Sequence, residues 1–203
     1  AGVINKLGSW VIEQACLFCA GQRQSGLSDL RVAVNISALQ FNDGLLQRHV
    51  ERAFQQPGLP PEALEIELTE SLFINDSSGI VAQLAALTDM GITIAIDDFG
   101  TGYSSLNYLH RLPIHTLKVD QSFVKAIRSG EDGACIVNAI VAMAHGLKLE
   151  IVAEGVETDD QLAYLKSLGC HQVQGFFYGP ARPAAELSRT LGTTRAKARP
   201  LPT

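Results

Sequence analysis

Residues 92–106 read ITIAIDDFGTGYSSL. The opening five, with Ile92, Ile94, Ala95 and Ile96, have the apolar density of a strand buried on both faces, as in a parallel sheet covered by helices. Two carboxylates, Asp97 and Asp98, follow at once, and then the glycines Gly100 and Gly102. Adjacent carboxylates repel each other, and burial adds to the cost of keeping them charged. A core strand that ends this way asks for a cation.

The pattern recurs along the chain. RVAVNIS (31–37), LEIEL (64–68), HTLKVD (115–120), LEIVAEGV (149–156) and CHQVQG (170–175) read as further strands. Helical patterns cover about 3–20, 46–56, 77–91, a short stretch near 104–110, 122–146 and 158–169, with AAELSRTL as the last. Thr158 with Gln161 has capping-box spacing, and Gly91 and Gly169 stand where helix-ending glycines belong. Alternating units of this length imply parallel strands joined by helical crossovers.

Every strand ends in polar chemistry: Asn35 and Ser37, Glu67 and Glu70, Asp97 and Asp98, Lys118 and Asp120, Glu154 and Glu157, then Gln174. An open sheet gathers its ligand groups at one switch point. A barrel gathers them from the C-terminal ends of many strands around one mouth. Six polar strand ends therefore favour an α/β fold of the (β/α)-barrel type over an open sheet, in a chain that opens with a helix and no strand before it.

Seven acids around one mouth cannot all stay ionised beside a single lysine. Oxygen donors without His or Cys suit hard divalent cations, Mg²⁺ or Mn²⁺, and two ions could share Asp97 for in-line phosphoryl displacement. A single strand-end acid can be a helix cap, and Asp98 or Thr101 could serve as one. The six strand ends together go beyond capping. The glycines of FGTG lack dinucleotide-fingerprint spacing and read as a mobile loop over the mouth.

Composition bounds the rest. The chain has 203 residues, 46% hydrophobic and 18% charged, with no apolar run near the roughly 18 residues of a membrane span. AGVINKLGSWVIEQAC lacks a signal peptide's basic start and cleavage site, so a cytoplasmic location and no membrane insertion are expected. Net charge is −5, yet no acid follows Glu186 while four of the 16 bases do. The remaining 12 bases against 21 acids exclude a duplex-DNA surface. GTTRAKARPLPT (192–203) is expected to be disordered, giving a barrel domain over 1–186, N-terminally incomplete, and over 187–203 a helix end with a basic tail. Cys16 and Cys19 form a CxxC inside an apolar helical pattern with no second ligand pair, so buried thiols are expected rather than zinc. The five histidines show no ligand spacing.

NIS, ELTE, DDFGTGYSSL, LKVD, AEGVE and QGF stand in the order and approximate spacing of the EAL-domain family, bacterial phosphodiesterases that open cyclic di-GMP to linear pGpG. The chain resembles that family from about residue 2 to 186. The resemblance implies a modified TIM (β/α)8-type barrel, here lacking its first strand, with two Mg²⁺ or Mn²⁺ ions. It makes Asn35, Glu67 and Asp97 metal ligands, with Asp98 and Asp120 near the second ion. Lys118 would hold the metal-bound water and the phosphate, and Glu154 would be the general base. Glu70 would anchor the DDFGTGYSSL loop, Glu157 would support the mouth, and Gln174 would contact substrate. Cyclic di-GMP is the implied ligand, and residues 97–106 the implied homodimer contact.

The chain departs from that pattern in one main respect. The family's signature Glu-Ala-Leu should end a first strand upstream of LGSWVIEQAC, and with it go one metal-ligand Glu and a phosphate-binding Arg. Glu62-Ala63-Leu64 is a decoy, because it begins a strand rather than ending one. Two functions follow as alternatives: a metal-dependent phosphodiesterase, of which this chain alone could be inactive, or a catalytically inactive cyclic di-GMP receptor module.

Overall fold

The computed structural model describes residues 2–55, 58–73, 77–102, 109–127 and 131–197, with the side chains of 77–78, 131–133 and 192–197 left aside. A 23-residue helix α1 (Gly2–Gln24) leads into β1 (Val32–Ile36), α2 (Ala38–Asn42) and α3 (Leu46–Phe54). Then come β2 (Leu64–Thr69), α4 (Ser77–Asp89), β3 (Thr93–Phe99) and β4 (Thr116–Val119). The chain continues through α5 (Gln121–Ala126), α6 (Glu131–Gly146), β5 (Glu150–Ala153), α7 (Asp159–Ser167), β6 (Gln172–Val173) and α8 (Ala184–Lys197).

All described strand pairs are parallel, and the order is β1-β2-β3-β4-β5-β6 without reversal. A doubly wound sheet would reverse its order at a switch point. Sequential order with helical crossovers curls the sheet one way, and the result is a TIM-barrel-like open barrel whose edges, among the described residues, are β1 and β6.

Along most of their length the strands alternate. Val34, Ile36, Ile66, Leu68, Ile94, Ile96, Leu117, Val119 and Ile151 point to the helix layer and are almost fully buried. Each such side chain contributes roughly 1.5–3 kcal/mol of burial. Glu65, Glu67, Thr93, Ala95, Asp97, Thr116 and Lys118 take the other face, toward the barrel axis. Apolar alternation thus builds the outer core and leaves the axis to polar groups. α1 adds Ile12, Cys16 and Cys19 to the outer core, with both thiols buried and free.

Helix signals hold at their ends. Thr158 and Gln161 form a reciprocal capping box on α7, and Gly91 and Gly169 end their helices at φ +88° and +82°. The expected helix over 122–146 is two, α5 and α6, with 128–130 outside the described residues. The short helix expected near 104–110 also falls largely outside them. α8 runs on to Lys197, so 192–197 is helical where a disordered tail is expected from composition. Its Ala, Leu, Arg and Lys content tolerates a helix despite Gly192. Pro61–Ala63 makes a 3-10 turn and Leu64 opens β2, which puts Glu62-Ala63-Leu64 at the end of the barrel opposite Glu67.

Candidate metal centre

One lysine organises the mouth. Lys118 on β4 is buried, and its Nζ lies 2.8 Å from Glu67 Oε2 on β2, 2.9 Å from Asp97 Oδ1 on β3 and 2.7 Å from Glu154 Oε1 just past β5. Four consecutive strands thus deliver one group each to a single layer. A layer below, Thr116 Oγ1 donates to Glu65 Oε2 at 2.7 Å. Burial alone would pull the Lys118 ammonium down, but hydrogen bonds to Glu154, Glu67 and Asp97 outweigh it and hold it above its ordinary value. Burial pushes the Glu67 and Glu154 carboxyls up despite Lys118, and the charge of Asp97 adds to both.

How Asp97 and Asp98 can both serve one mouth is a backbone question, since successive strand residues face opposite sides. The ladder between β3 and β4 pairs Ile96 with Leu117 and then Phe99 with Val119, so two residues of β3 oppose Lys118 alone. This is a β-bulge, and Asp98 takes φ +54° in it, an uncommon conformation that Asp tolerates better than most residues. The bulge keeps Phe99 buried in the outer core and frees Asp98 for the axis. Carboxylate oxygens of Asp97, Asp98 and Glu154 lie within 4.8 Å of one another. Burial raises the Asp98 carboxyl, and the charges of Asp97 and Asp120 raise it further.

The other predicted residues occupy defined places. Asp120 caps α5, accepting from the Ser122 amide at 2.9 Å and from the Ser122 hydroxyl. Burial works against it, yet these bonds hold its carboxyl below the ordinary range. Glu70 is buried in a 3-10 turn after β2 and accepts from the Gly100 amide at 2.7 Å. Gly100 has φ +96°, and a Cβ there would come within 2.7 Å of the Phe123 ring. Asn35 is exposed on β1 in register with Glu67, on the same face. Glu157 and Gln174 are exposed and line a pocket of about 220 Å³ with Gln121, Lys125, Glu154, Gly155, Gly175 and Phe176. Residues 103–108 of the expected dimer loop lie outside the described residues.

The donor set fits a hard divalent cation. Lys118 is already shared by three carboxylates, and Asp97, Asp98 and Glu154 present oxygens close enough to converge on one ion. Chemically, the mouth can hold a cation, orient an anion beside it and move a proton at Glu154.

Fold and mouth together define a TIM-barrel-like domain with an acidic cluster, fit for a divalent cation, at the C-terminal ends of its strands. The EAL domain family matches residues 1–181, and the chain belongs to that family. It is 45% identical over 186 residues to the bifunctional diguanylate cyclase/cyclic di-GMP phosphodiesterase MucR of Pseudomonas aeruginosa, covering 92% of this chain and 27% of that protein. To the cyclic di-GMP phosphodiesterase NbdA of the same species it is 41% identical, over 98% of this chain and 25% of the other. The chain therefore spans about a quarter of the length of these curated relatives. Its fold superposes on the PaMucR phosphodiesterase in complex with c-di-GMP with a TM-score of 0.88 at 45% identity, covering 92% of this chain and 75% of that one. For the EAL domain of Mycobacterium smegmatis DcpA the TM-score is 0.87 at 35% identity, covering 94% and 86%. Among the described residues no helix is long and apolar enough to cross a membrane.

Sequence reasoning missed the bulge, although its signal was present. The large apolar side chains fall at even positions 92, 94 and 96 and resume at the odd position Phe99. One extra residue explains that slip. Nor did sequence reasoning single out Gln121 and Lys125, which line the pocket beside Glu154 and carry no motif of their own.

Proposed function

We propose that this chain is the catalytic barrel of a phosphodiesterase that opens cyclic di-GMP to linear pGpG with two Mg²⁺ or Mn²⁺ ions. The reading rests on family membership, on the relatives' cyclic di-GMP activities and above all on the Lys118 cluster of Glu67, Asp97 and Glu154 with Asp98 beside it. Asn35, Glu67 and Asp97 would hold one ion, and Asp98 with Asp120 the second. Bound there, the ions would neutralise the phosphodiester and make water a better nucleophile.

The chain's own residues do the remaining work. Glu154, raised by burial, takes a proton from water as its oxygen attacks phosphorus. The P–O3′ bond breaks opposite, and the departing oxygen takes a proton from solvent. Lys118 stays charged through neutral pH and offers a fixed positive group where negative charge grows. Glu70 fixes the turn after Asp98 through the Gly100 amide, and Asp120 is preoriented by Ser122. Glu157 supports the mouth and Gln174 contacts the substrate beside Glu154.

The test uses full-length protein with cyclic di-GMP and Mg²⁺ or Mn²⁺, product being read by chromatography. pGpG should appear, and Glu154→Gln should bind substrate without turning it over. Tight binding with no turnover in either metal would replace this reading with the receptor module, and absence of binding would refute both.

A further inference from the structure

Among the described residues the buried cation of the mouth, Lys118, is shared by three carboxylates, and ions held there would serve the phosphodiester being cleaved, so the second phosphate of a cyclic dinucleotide needs positive charge from elsewhere. In the 220 Å³ pocket containing Glu154 and Gln174, one lining residue is cationic: Lys125, exposed on α5. Its position is built rather than incidental. Lys125 Nζ donates to Gln121 Oε1 at 2.8 Å, one helical turn back. Gln121 is in turn pressed against the turn that carries Glu154, because a Cβ on Gly155 would fall 2.5 Å from Gln121 Cβ. Gly155 has φ +68°, a conformation glycine adopts without penalty. The turn after β5 and the first turn of α5 therefore meet through a missing side chain. That contact sets Lys125 over the rim of the pocket while its Nζ remains in solvent reach.

We propose that Lys125 binds the phosphate of the cyclic dinucleotide that is not being cleaved, with Gln121 as its positioning residue. The inference rests on the phosphodiesterase reading above. Lys125 lies outside the Lys118 cluster and has no described ion pair, so its charge is available to a ligand. A rim cation of this kind acts on substrate and transition state alike. It should appear in KM and not in kcat.

Steady-state kinetics on full-length protein provides the test. Lys125→Ala should raise KM about five- to tenfold with kcat within about twofold, and Lys125→Arg should restore the parent KM. Added salt should raise KM in the parent and much less in Lys125→Ala. Gln121→Ala should raise KM about two- to threefold, with no further effect in the Lys125→Ala background. An unchanged KM in Lys125→Ala, a matching fall in kcat, or failure of the Arg variant to rescue would overturn the assignment. If the parent neither binds nor hydrolyses cyclic di-GMP, the phosphodiesterase reading falls and this inference with it. An active parent beside an indifferent Lys125→Ala sinks this inference alone.

Discussion

The two ends of the barrel carry ion pairs of nearly the same length and different consequence. At the N-terminal end Arg31 lies 2.9 Å from Glu150, with side chains 36% and 46% exposed, and Gln172 shares the carboxylate at 3.3 Å. At the C-terminal end Lys118 makes three contacts of 2.7–2.9 Å with its side chain 3% exposed. Geometry alone would rank them alike. Water separates them: the Arg31 pair is screened and contributes at most about 1 kcal/mol, whereas the Lys118 cluster could lose no member without leaving a buried charge. The first ties strand ends together; the second holds a surplus of negative charge in readiness for cations.

Breaking the buried end should produce the largest effects. Glu154→Gln should lower turnover about 10²–10⁴-fold while sparing substrate affinity, as measured by kcat and by calorimetry. Lys118→Met should destabilise the metal-free protein by about 3–5 kcal/mol in chemical denaturation and abolish most turnover. Arg31→Met, the matched change at the open end, should cost under about 1 kcal/mol and leave kcat unaltered.

Smaller changes sharpen the contrast. Glu70→Ala removes a charge-assisted bond to the Gly100 amide, which is worth roughly 1.5–3 kcal/mol. Its expected signature is weaker metal binding together with lower turnover, through displacement of Asp97 and Asp98. Parent and variant crystals showing an unchanged loop would contradict that. Asp98→Gly relieves an uncommon backbone conformation and a repulsive carboxylate, so it should stabilise the metal-free protein by about 1 kcal/mol while weakening metal affinity.

The smallest expected effect is a pH slope. Glu67, Glu154 and Asp98 are raised in the folded protein, chiefly by burial, so the native state holds more protons than the unfolded chain. In chelator, melting temperature should therefore fall as pH rises from about 5 to about 7. Asp120 is lowered and acts in the opposite sense, but only where pH falls below the ordinary Asp value of about 4. Lys118, raised, lends stability that is lost only in strong base. A rising or flat melting curve in that window would show that the carboxylates are not charged against a penalty.

The mouth was legible because its chemistry falls at strand ends, and parallel strands carry their C-terminal residues to one side. Glu67, Asp97, Lys118 and Glu154 could be assigned to one cavity from order alone. Less of the local backbone was legible. The strands expected over 149–156 and 170–175 are shorter, β5 and β6 each ending two residues before a glycine, Gly155 at φ +68° and Gly175 at φ +157°. Composition also misplaced the end of α8, because a basic, acid-free run is compatible with helix as well as with disorder. The sharing of Lys118 by three carboxylates follows from distances that no motif encodes.

The central claim is that these strand ends converge on divalent cations beside Lys118. Anomalous diffraction from crystals of the full-length protein soaked in Mn²⁺ tests it most directly. The account predicts peaks within coordination distance of Asp97, with Asp98 and Glu154 facing the same site, and their loss in Asp97→Asn. Peaks confined to the Glu62 or Glu150 end of the barrel, or unchanged peaks in Asp97→Asn, would contradict it.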